Sequence, residues 1–534
     1  MGADPVLATV SAPGPTAGTD VPPTTGAPGP RTTDLGRVAR GGALNLAGSV
    51  VTAAAAFGFT VLVTRSLPAA EAGTLFTLTS VFVVAYSTAR LGAPTGLVYF
   101  LARQRATGEQ RLLAVTVHQA VAVVAVVAVV VGVLGLVLAG PIVEAAVGEQ
   151  RPGAVTLTRV LAACLVAAAL GDVWVGATRG MGAMRPLVAL EKVARPLLQI
   201  LGAGAVLLLG WADPLSLGLA WVLPFVVTSA GLALWSRRLR AGVEARQGIG
   251  PQDRGRARDV IGSFWRFSGP RSITGLCQTV LQRADIVVVA AVRGPADAAV
   301  YAAATRFLVV GQLGAGAVGS SIQPKIASLV ARQDVAGARD LYRVSTTWLV
   351  LLTWPLYLLT AVHAQDLLRV FGTGYADGAV VVVVLSLVML VATGCGSVDV
   401  VLTMAGRTSW VMGNAVLGLT TNLVLLALLV PPLGVLGAAL AWAAAILVNN
   451  LLPLAQLAIS LDIHPLGRSS ATAALLAVGC FGVFPLLGRL TLPHELVAQL
   501  LVVALAVGLY AALVLRGRRL LAVDALVSLR RRTR

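Results

Sequence analysis

The chain has 534 residues, 57% of them hydrophobic and only 12% charged, and its mean hydropathy is +0.85. A soluble domain carries about 25% charged residues, so a water-coated globule is excluded and most of the chain must face lipid or other helices. The formal net charge of +18 comes almost entirely from arginine, with Lys192 and Lys325 the only lysines; these charges sit in short loops between apolar runs, which points to membrane topology and away from nucleic acid as a partner.

Residues 1–35 are rich in Pro, Gly, Thr and Ala and read as a disordered cytoplasmic tail. No basic stretch there runs directly into an apolar core, so the segment is not a cleaved signal peptide, and the first membrane helix is expected to act as the insertion signal. Apolar runs then recur. The pattern predicts helices at 43–63, 74–101, 112–140, 155–178, 187–210 and 214–236, and again at 260–292, 297–323, 344–363, 379–403, 409–430 and 434–460. A final pair follows at 471–488 and 496–516. Most runs approach the roughly 20 residues that span a hydrocarbon core, and Ala, Val and Leu suit helices better than the alternating strands of a barrel. The expected fold class is therefore an all-α membrane protein of about 14 transmembrane helices.

Charge and repetition organise these helices. With the N-terminus inside, 30 of the 41 basic residues fall on the cytoplasmic side and six on the other, a strong positive-inside bias that places both termini in the cytoplasm. Ala102-Arg103-Gln104, Gly108, Leu112 and Val115 recur as Ala331-Arg332-Gln333, Gly337, Leu341 and Val344, 229 residues later. Six helices per half is an even number, so the two repeats are parallel and related by an axis along the membrane normal. The expected domains are an N-lobe at 36–236, a basic cytoplasmic linker at 237–259, a C-lobe at 260–460, an appended helix pair at 461–516 and a basic cytoplasmic tail at 517–534.

Several chemistries are excluded. The longest outside loops, near 141–154 and 364–378, are too short for an extracytoplasmic enzyme domain, and no Walker A motif is present. Cys164, Cys277, Cys395 and Cys480 lie in apolar runs, and His118, His363, His464 and His494 are scattered, so neither type forms a metal or catalytic pattern. The reading is a transporter rather than an enzyme, with no metal or cofactor.

Polar residues inside the helices carry the rest. An intramembrane charge costs about 2.5–3.5 kcal/mol on insertion scales and demands a partner or a wet cavity. In the seventh predicted helix Arg271, Thr274, Gly275, Gln278, Gln282 and Asp285 fall on one stripe. A cation, two amides and a carboxylate favour a cavity lining over a bare helix contact. Arg283 points off that stripe and is expected to snorkel or to pair with a neighbouring carboxylate. In the second helix Arg90 either faces Arg271 across the pseudo-two-fold axis or pairs inside the bundle with Asp172 or Asp399. In the eighth, Thr305, Gln312, Gly316, Gly319 and Gln323 suggest close packing, with Arg306 the exception. Asp172, Asp285 and Asp399 either serve as counter-ions to the arginines or carry a coupling ion, H+ or Na+. Trp174, Trp211, Trp235, Trp265 and Trp348 read as interfacial anchors.

The opening Asn45, Gly48, Leu62-Val63-Thr64-Arg65-Ser66-Leu67 and Glu71-Ala72-Gly73 resembles the first two helices of polysaccharide flippases, members of the multidrug/oligosaccharidyl-lipid/polysaccharide exporter superfamily. The second half resembles them too, through Phe267-Ser268-Gly269-Pro270, Arg283-Ala284-Asp285-Ile286-Val287-Val288 and Ala299-Val300-Tyr301-Ala302-Ala303-Ala304-Thr305-Arg306. The resemblance, over about residues 36–460, implies two six-helix lobes around a central cavity and an alternating-access cycle. Its implied substrate is a polyprenyl-pyrophosphate-linked oligosaccharide moved from the inner to the outer leaflet of a bacterial cytoplasmic membrane. Membrane lipid, a polysaccharide polymerase and glycosyltransferases are the implied partners. Arg90, Arg271 and Arg306 are the candidate pyrophosphate ligands, because a guanidinium presents paired donors to phosphate oxygens. Gln278, Gln282 and Thr274 are the candidate sugar ligands, and Asp285, Asp172 and Asp399 the candidates for charge balance or ion coupling. Three alternatives compete: a lipid II flippase, whose dense Arg/Asp opening helix is missing here; a cation-coupled multidrug exporter, which usually has twelve helices; and a non-transporting membrane scaffold, which needs no polar stripe.

Overall fold

The computed structural model describes residues 32–109, 112–148, 152–244, 254–465, 467–492 and 495–521. Most of both expected tails, the centre of the expected linker and His494 lie outside the described residues. Every regular element among the described residues is helical.

Helix α1 (Thr32–Ser66) meets α2 (Ala69–Ala89) at Pro68, which lacks the N–H a helix interior needs. Arg90 ends α2, and Leu91 (φ 49°) and Gly92 (φ 67°) re-aim the chain into α3 (Ala93–Ala106), which opens on Pro94. Only glycine suits position 92: its φ is positive, and a Cβ there would lie 2.6 Å from the Ser268 carbonyl oxygen. There follow α4 (Leu113–Val137), the short α5 (Ala139–Val147), α6 (Pro152–Gly180), a π-helical stretch Leu187–Ala194 leading into α7 (Arg195–Leu208), and α8 (Pro214–Glu244).

The second half holds α9 (Arg254–Arg293), α10 (Pro295–Thr305), α11 (Leu308–Ala331), α12 (Val335–Val362), the single turn α13 (Ala364–Leu368), α14 (Ala379–Gly394), α15 (Val398–Met404), α16 (Thr408–Leu433) and α17 (Val435–Leu461). Asp334 caps α12 by accepting from the Gly337 N–H at 2.8 Å. The chain closes with α18 (Arg468–Ala477), a π-helical stretch into α19 (Phe484–Thr491), and α20 (Leu496–Arg516).

Large apolar side chains are exposed in helical rows, such as Val126, Val130, Val133 and Val137 on α4 and Leu501, Leu505 and Leu509 on α20. Water would not tolerate such continuous apolar faces; a bilayer does. Among the described residues twelve helices are long and apolar enough to cross a membrane. The expected 14 are not all reached by that measure. The two segments that fall short are 187–208, which carries Glu191, Lys192 and Arg195, and 295–331, which is interrupted between α10 and α11 at Arg306–Phe307. Both depart from a plain apolar helix because they hold polar groups of the interior.

Helices α1 to α8 pack mainly on one another, as do α9 to α17; α2 and α3 make most of the crossing contacts, against α9 and α10. The crossing is tightest at Gly73, where a Cβ would overlap the Pro295 carbonyl. Near that end the Arg65 guanidinium donates to the carbonyls of Val370 (2.8 Å) and Arg369 (2.9 Å). Phe57, Phe307 and Phe371 close the same end with ring centroids 5.3–5.7 Å apart. The final helices lean on α12: Tyr510 donates to the Leu351 carbonyl at 2.9 Å, and Arg489 reaches the Val362 carbonyl at 2.6 Å and Asp366 at 2.9 Å. Trp174, expected at an interface, is instead a core residue only 8% exposed, because α6 is covered by α2, α3, α4 and α8.

Candidate substrate cavity

The polar face of α9 is uncovered. Arg271, Gln278 and Gln282 are exposed and Thr274 and Gly275 half-exposed, one or two helical turns apart in succession. None of the side chains of Arg271, Gln278 or Gln282 has an ion pair or side-chain hydrogen bond among the described residues; Thr274 only bonds back to its own helix, to the Pro270 carbonyl. Polar groups of this kind are stable within a membrane when they face a water-filled space. On α11, Gln312, Gly316 and Gln323 are exposed as well, while Gly319 is buried against Ser397 and Val400, so helix packing takes up only part of this stripe.

Arg271 has one notable neighbour. Its guanidinium lies 4.6 Å over the Phe267 ring, and Phe267 stacks on Tyr99 of α3 with centroids 4.4 Å apart and planes 18° off parallel. A planar cation on an aromatic stack keeps its edge donors free for an anion while its face is held. Tyr99 is 45% exposed, leaving ring surface beside the arginine. Neither ring was among the expected site residues; Tyr99 joins the site only through the contact of α3 with α9.

Further along α9 lies a second feature. Gln282, Arg283, Asp285, Tyr301, Thr305, Arg306, Gln312 and Trp442 line a cavity of about 110 Å³. It forms because the chain breaks between α10 and α11, turning Arg306 inward. Arg306 Nε is buried and has no hydrogen-bond partner among the described residues. Arg283 pairs with no carboxylate among the described residues; it lines this cavity together with Arg306. Asp285 is 3% exposed and accepts from the Tyr301 hydroxyl at 2.7 Å. It forms no ion pair with either arginine among the described residues.

The remaining candidates are elsewhere. Arg90 bonds Asp172 of α6 at 2.8 Å, so its guanidinium is turned into its own half and not toward Arg271. Next to this pair Arg195 and Glu191 form a second one at 2.5 Å, and Arg195 also lies 4.4 Å over the Phe225 ring. Asp399 is exposed near the start of α15 and makes no ion pair among the described residues. The structure thus brings Gln282, Asp285 and Arg306 together, strings Arg271, Thr274 and Gln278 along the same helix, joins Arg90 to Asp172, and leaves Asp399 apart. No group of three potential metal ligands occurs among the described residues.

A model of the family described as polysaccharide biosynthesis protein matches residues 38–330. No curated protein sequence matches the chain. Among solved structures, the lipid II flippase MurJ in an inward closed conformation is similar at TM-score 0.67 and 12% identity, covering 89% of this chain and 99% of that one. An inward-facing multidrug resistance MATE family transporter of the MOP superfamily is similar at TM-score 0.63 and 16% identity, over 77% of this chain and 95% of its own. A MOP superfamily transporter from Pyrococcus furiosus, described as having a binding pocket of reverse polarity, is similar at TM-score 0.54 and 16% identity, over 80% of this chain and 96% of its own. At such identities these likenesses show the fold, a helical bundle common to MATE and MurJ proteins.

Proposed function

The chain belongs to the polysaccharide biosynthesis protein family, and from that premise we propose that it is a flippase for a polyprenyl-pyrophosphate-linked oligosaccharide. It would carry this lipid from the inner to the outer leaflet of the cytoplasmic membrane by alternating access, with both termini in the cytoplasm. The observation that carries the reading is the exposed row of Arg271, Gln278 and Gln282 on α9, whose side chains have no ion pair or side-chain hydrogen bond among the described residues.

The chemistry follows from the groups present. Arg271, backed by Phe267, offers the pyrophosphate a fork of donors. Thr274, Gln278 and Gln282 succeed it along the helix and exchange hydrogen bonds with sugar hydroxyls. The lipid tail stays in the bilayer, so only the head group crosses. Arg90 joins the pyrophosphate set only if its pair with Asp172 opens. Asp285, hydrogen-bonded to Tyr301, is the strongest candidate to carry H+ or Na+, with Asp172 engaged as a counter-ion and Asp399 exposed.

The test is the lipid-linked glycan content of cells lacking the protein, resolved by leaflet. The expected result is accumulation of a polyprenyl-pyrophosphate oligosaccharide on the cytoplasmic side. Unchanged lipid-linked glycan together with altered sensitivity to cationic drugs contradicts the reading and favours a multidrug exporter.

A further inference from the structure

The arginines of the C-half cannot serve one pyrophosphate. Arg271 and Arg283 are 12 residues apart on α9, which at 1.5 Å per residue separates their Cα atoms by about 18 Å. Their side chains do not converge, because Arg271 folds back onto Phe267, one turn toward the cytoplasmic end of the helix. Arg306 shares its cavity with Arg283 and lies at the far end of the stripe with it. The cavity therefore holds two cations of its own against one carboxylate, Asp285, which accepts from Tyr301 at Oδ2 and has no partner at Oδ1 among the described residues, so one positive charge stays uncompensated. A guanidinium stays protonated in proteins, and a half-buried one without a counter-charge, as Arg283 and Arg306 are, is disfavoured. The unmet Nε of Arg306 marks where the missing anion belongs.

We propose that the Arg283–Arg306 cavity is a second anion subsite, which recognises an acidic group on the glycan itself, such as the carboxylate of a uronic acid. This rests on the flippase reading and names its substrate class: an acidic oligosaccharide, gripped by its pyrophosphate at Arg271 and by a distal negative charge at Arg283 and Arg306. Gln282 and Gln312 flank the subsite with amides for the hydroxyls of the charged sugar, and Trp442 supplies an apolar wall. A neutral glycan would leave both cations without a partner, so the subsite also discriminates.

The experiment uses the full chain in lipid nanodiscs and two synthetic probes. Both are polyprenyl-pyrophosphate trisaccharides, one ending in glucose and one in glucuronic acid. The glucuronic acid probe is expected to bind at least about tenfold more tightly, from two charge-assisted contacts. In the R283Q/R306Q variant that ratio should fall to about one, while R283K/R306K should keep part of it, which separates lost charge from lost folding. Arg271→Gln should weaken both probes together and preserve the ratio. Equal binding of the two probes to the unmodified protein overturns the proposal, since a resident inorganic anion would give that result. So does a ratio that survives in R283Q/R306Q. If neither probe binds the unmodified protein, the flippase reading itself fails and the subsite falls with it.

Discussion

The two halves treat their arginines in opposite ways. In the N-half Arg90 meets Asp172 at 2.8 Å and Arg195 meets Glu191 at 2.5 Å, so interior positive charge is cancelled where it arises. Nearby, Lys192 donates to the Ser49 hydroxyl of α1 at 2.6 Å. In the C-half Arg271, Arg283 and Arg306 have no ion pair among the described residues, and Arg271 and Arg283 share a helix with two exposed glutamines. One half thus spends polar groups on holding its own helices together, while the other leaves these three arginines without an ion pair among the described residues, as the proposed substrate site requires. The difference teaches that the presence of a buried cation says little, and that its partner, or the lack of one, assigns the role.

The comparison can be broken from the C-half first. A Cβ at Gly275 would meet nothing within 4 Å, so Gly275→Glu fits, and it places a carboxylate one turn from Arg271, imitating the N-half. Transport measured by leaflet-resolved lipid-linked glycan should fall more than about tenfold, because an internal ion pair competes with the substrate. Thermal stability should hold or rise, since removing a mid-helix glycine gains about 0.5–1 kcal/mol. Unimpaired transport would mean that Arg271 need not be open.

The N-half gives the next effect. Asp172→Ala strands Arg90, whose side chain is 30% exposed. Breaking a buried pair costs about 3–5 kcal/mol, which partial exposure reduces to about 2–3 kcal/mol. The R90M/D172L double variant should recover most of that loss in a thermal-unfolding cycle. If Asp172→Ala matches the unmodified protein, the N-half pair is not structural.

The smallest effect belongs to the junction of α12 and α13, at His363. Burial foremost, and then Arg489, hold the His363 imidazole below its ordinary value, with Asp366 pulling the other way. A histidine whose folded-state value is lowered contributes its full share above the unfolded value, near pH 6.5, and loses it as the pH falls through that value toward the folded one. The apparent melting temperature should therefore drop between pH 7 and pH 5, and His363→Gln should flatten that slope. An equal slope in the variant would assign it to other groups.

How much of this was legible in the sequence follows from which contacts are local. The α9 stripe is a property of one helix, so periodicity alone places Arg271, Thr274, Gln278 and Gln282 on one face. Pairing Arg90 with Asp172 was one of two options, because nothing in either helix fixes which way a long side chain turns. Arg283 was misread. On an ideal helix it points off the stripe, yet the break at Arg306–Phe307 brings α10 and α11 around it and makes a cavity there. Tyr99 and Trp442 reach the site from other helices, across contacts that no window of sequence contains. The polar content of 187–208 and 295–331 keeps them below the apolarity of the twelve long apolar helices among the described residues.

The most direct measurement is flipping of a synthetic polyprenyl-pyrophosphate oligosaccharide in proteoliposomes, comparing the unmodified chain with Arg271→Gln. Arg271 is exposed and its side chain has no polar partner among the described residues, so the account predicts a rate at least about tenfold lower with stability within about 0.5 kcal/mol of the original. An unchanged rate in a folded, correctly inserted Arg271→Gln protein would contradict it.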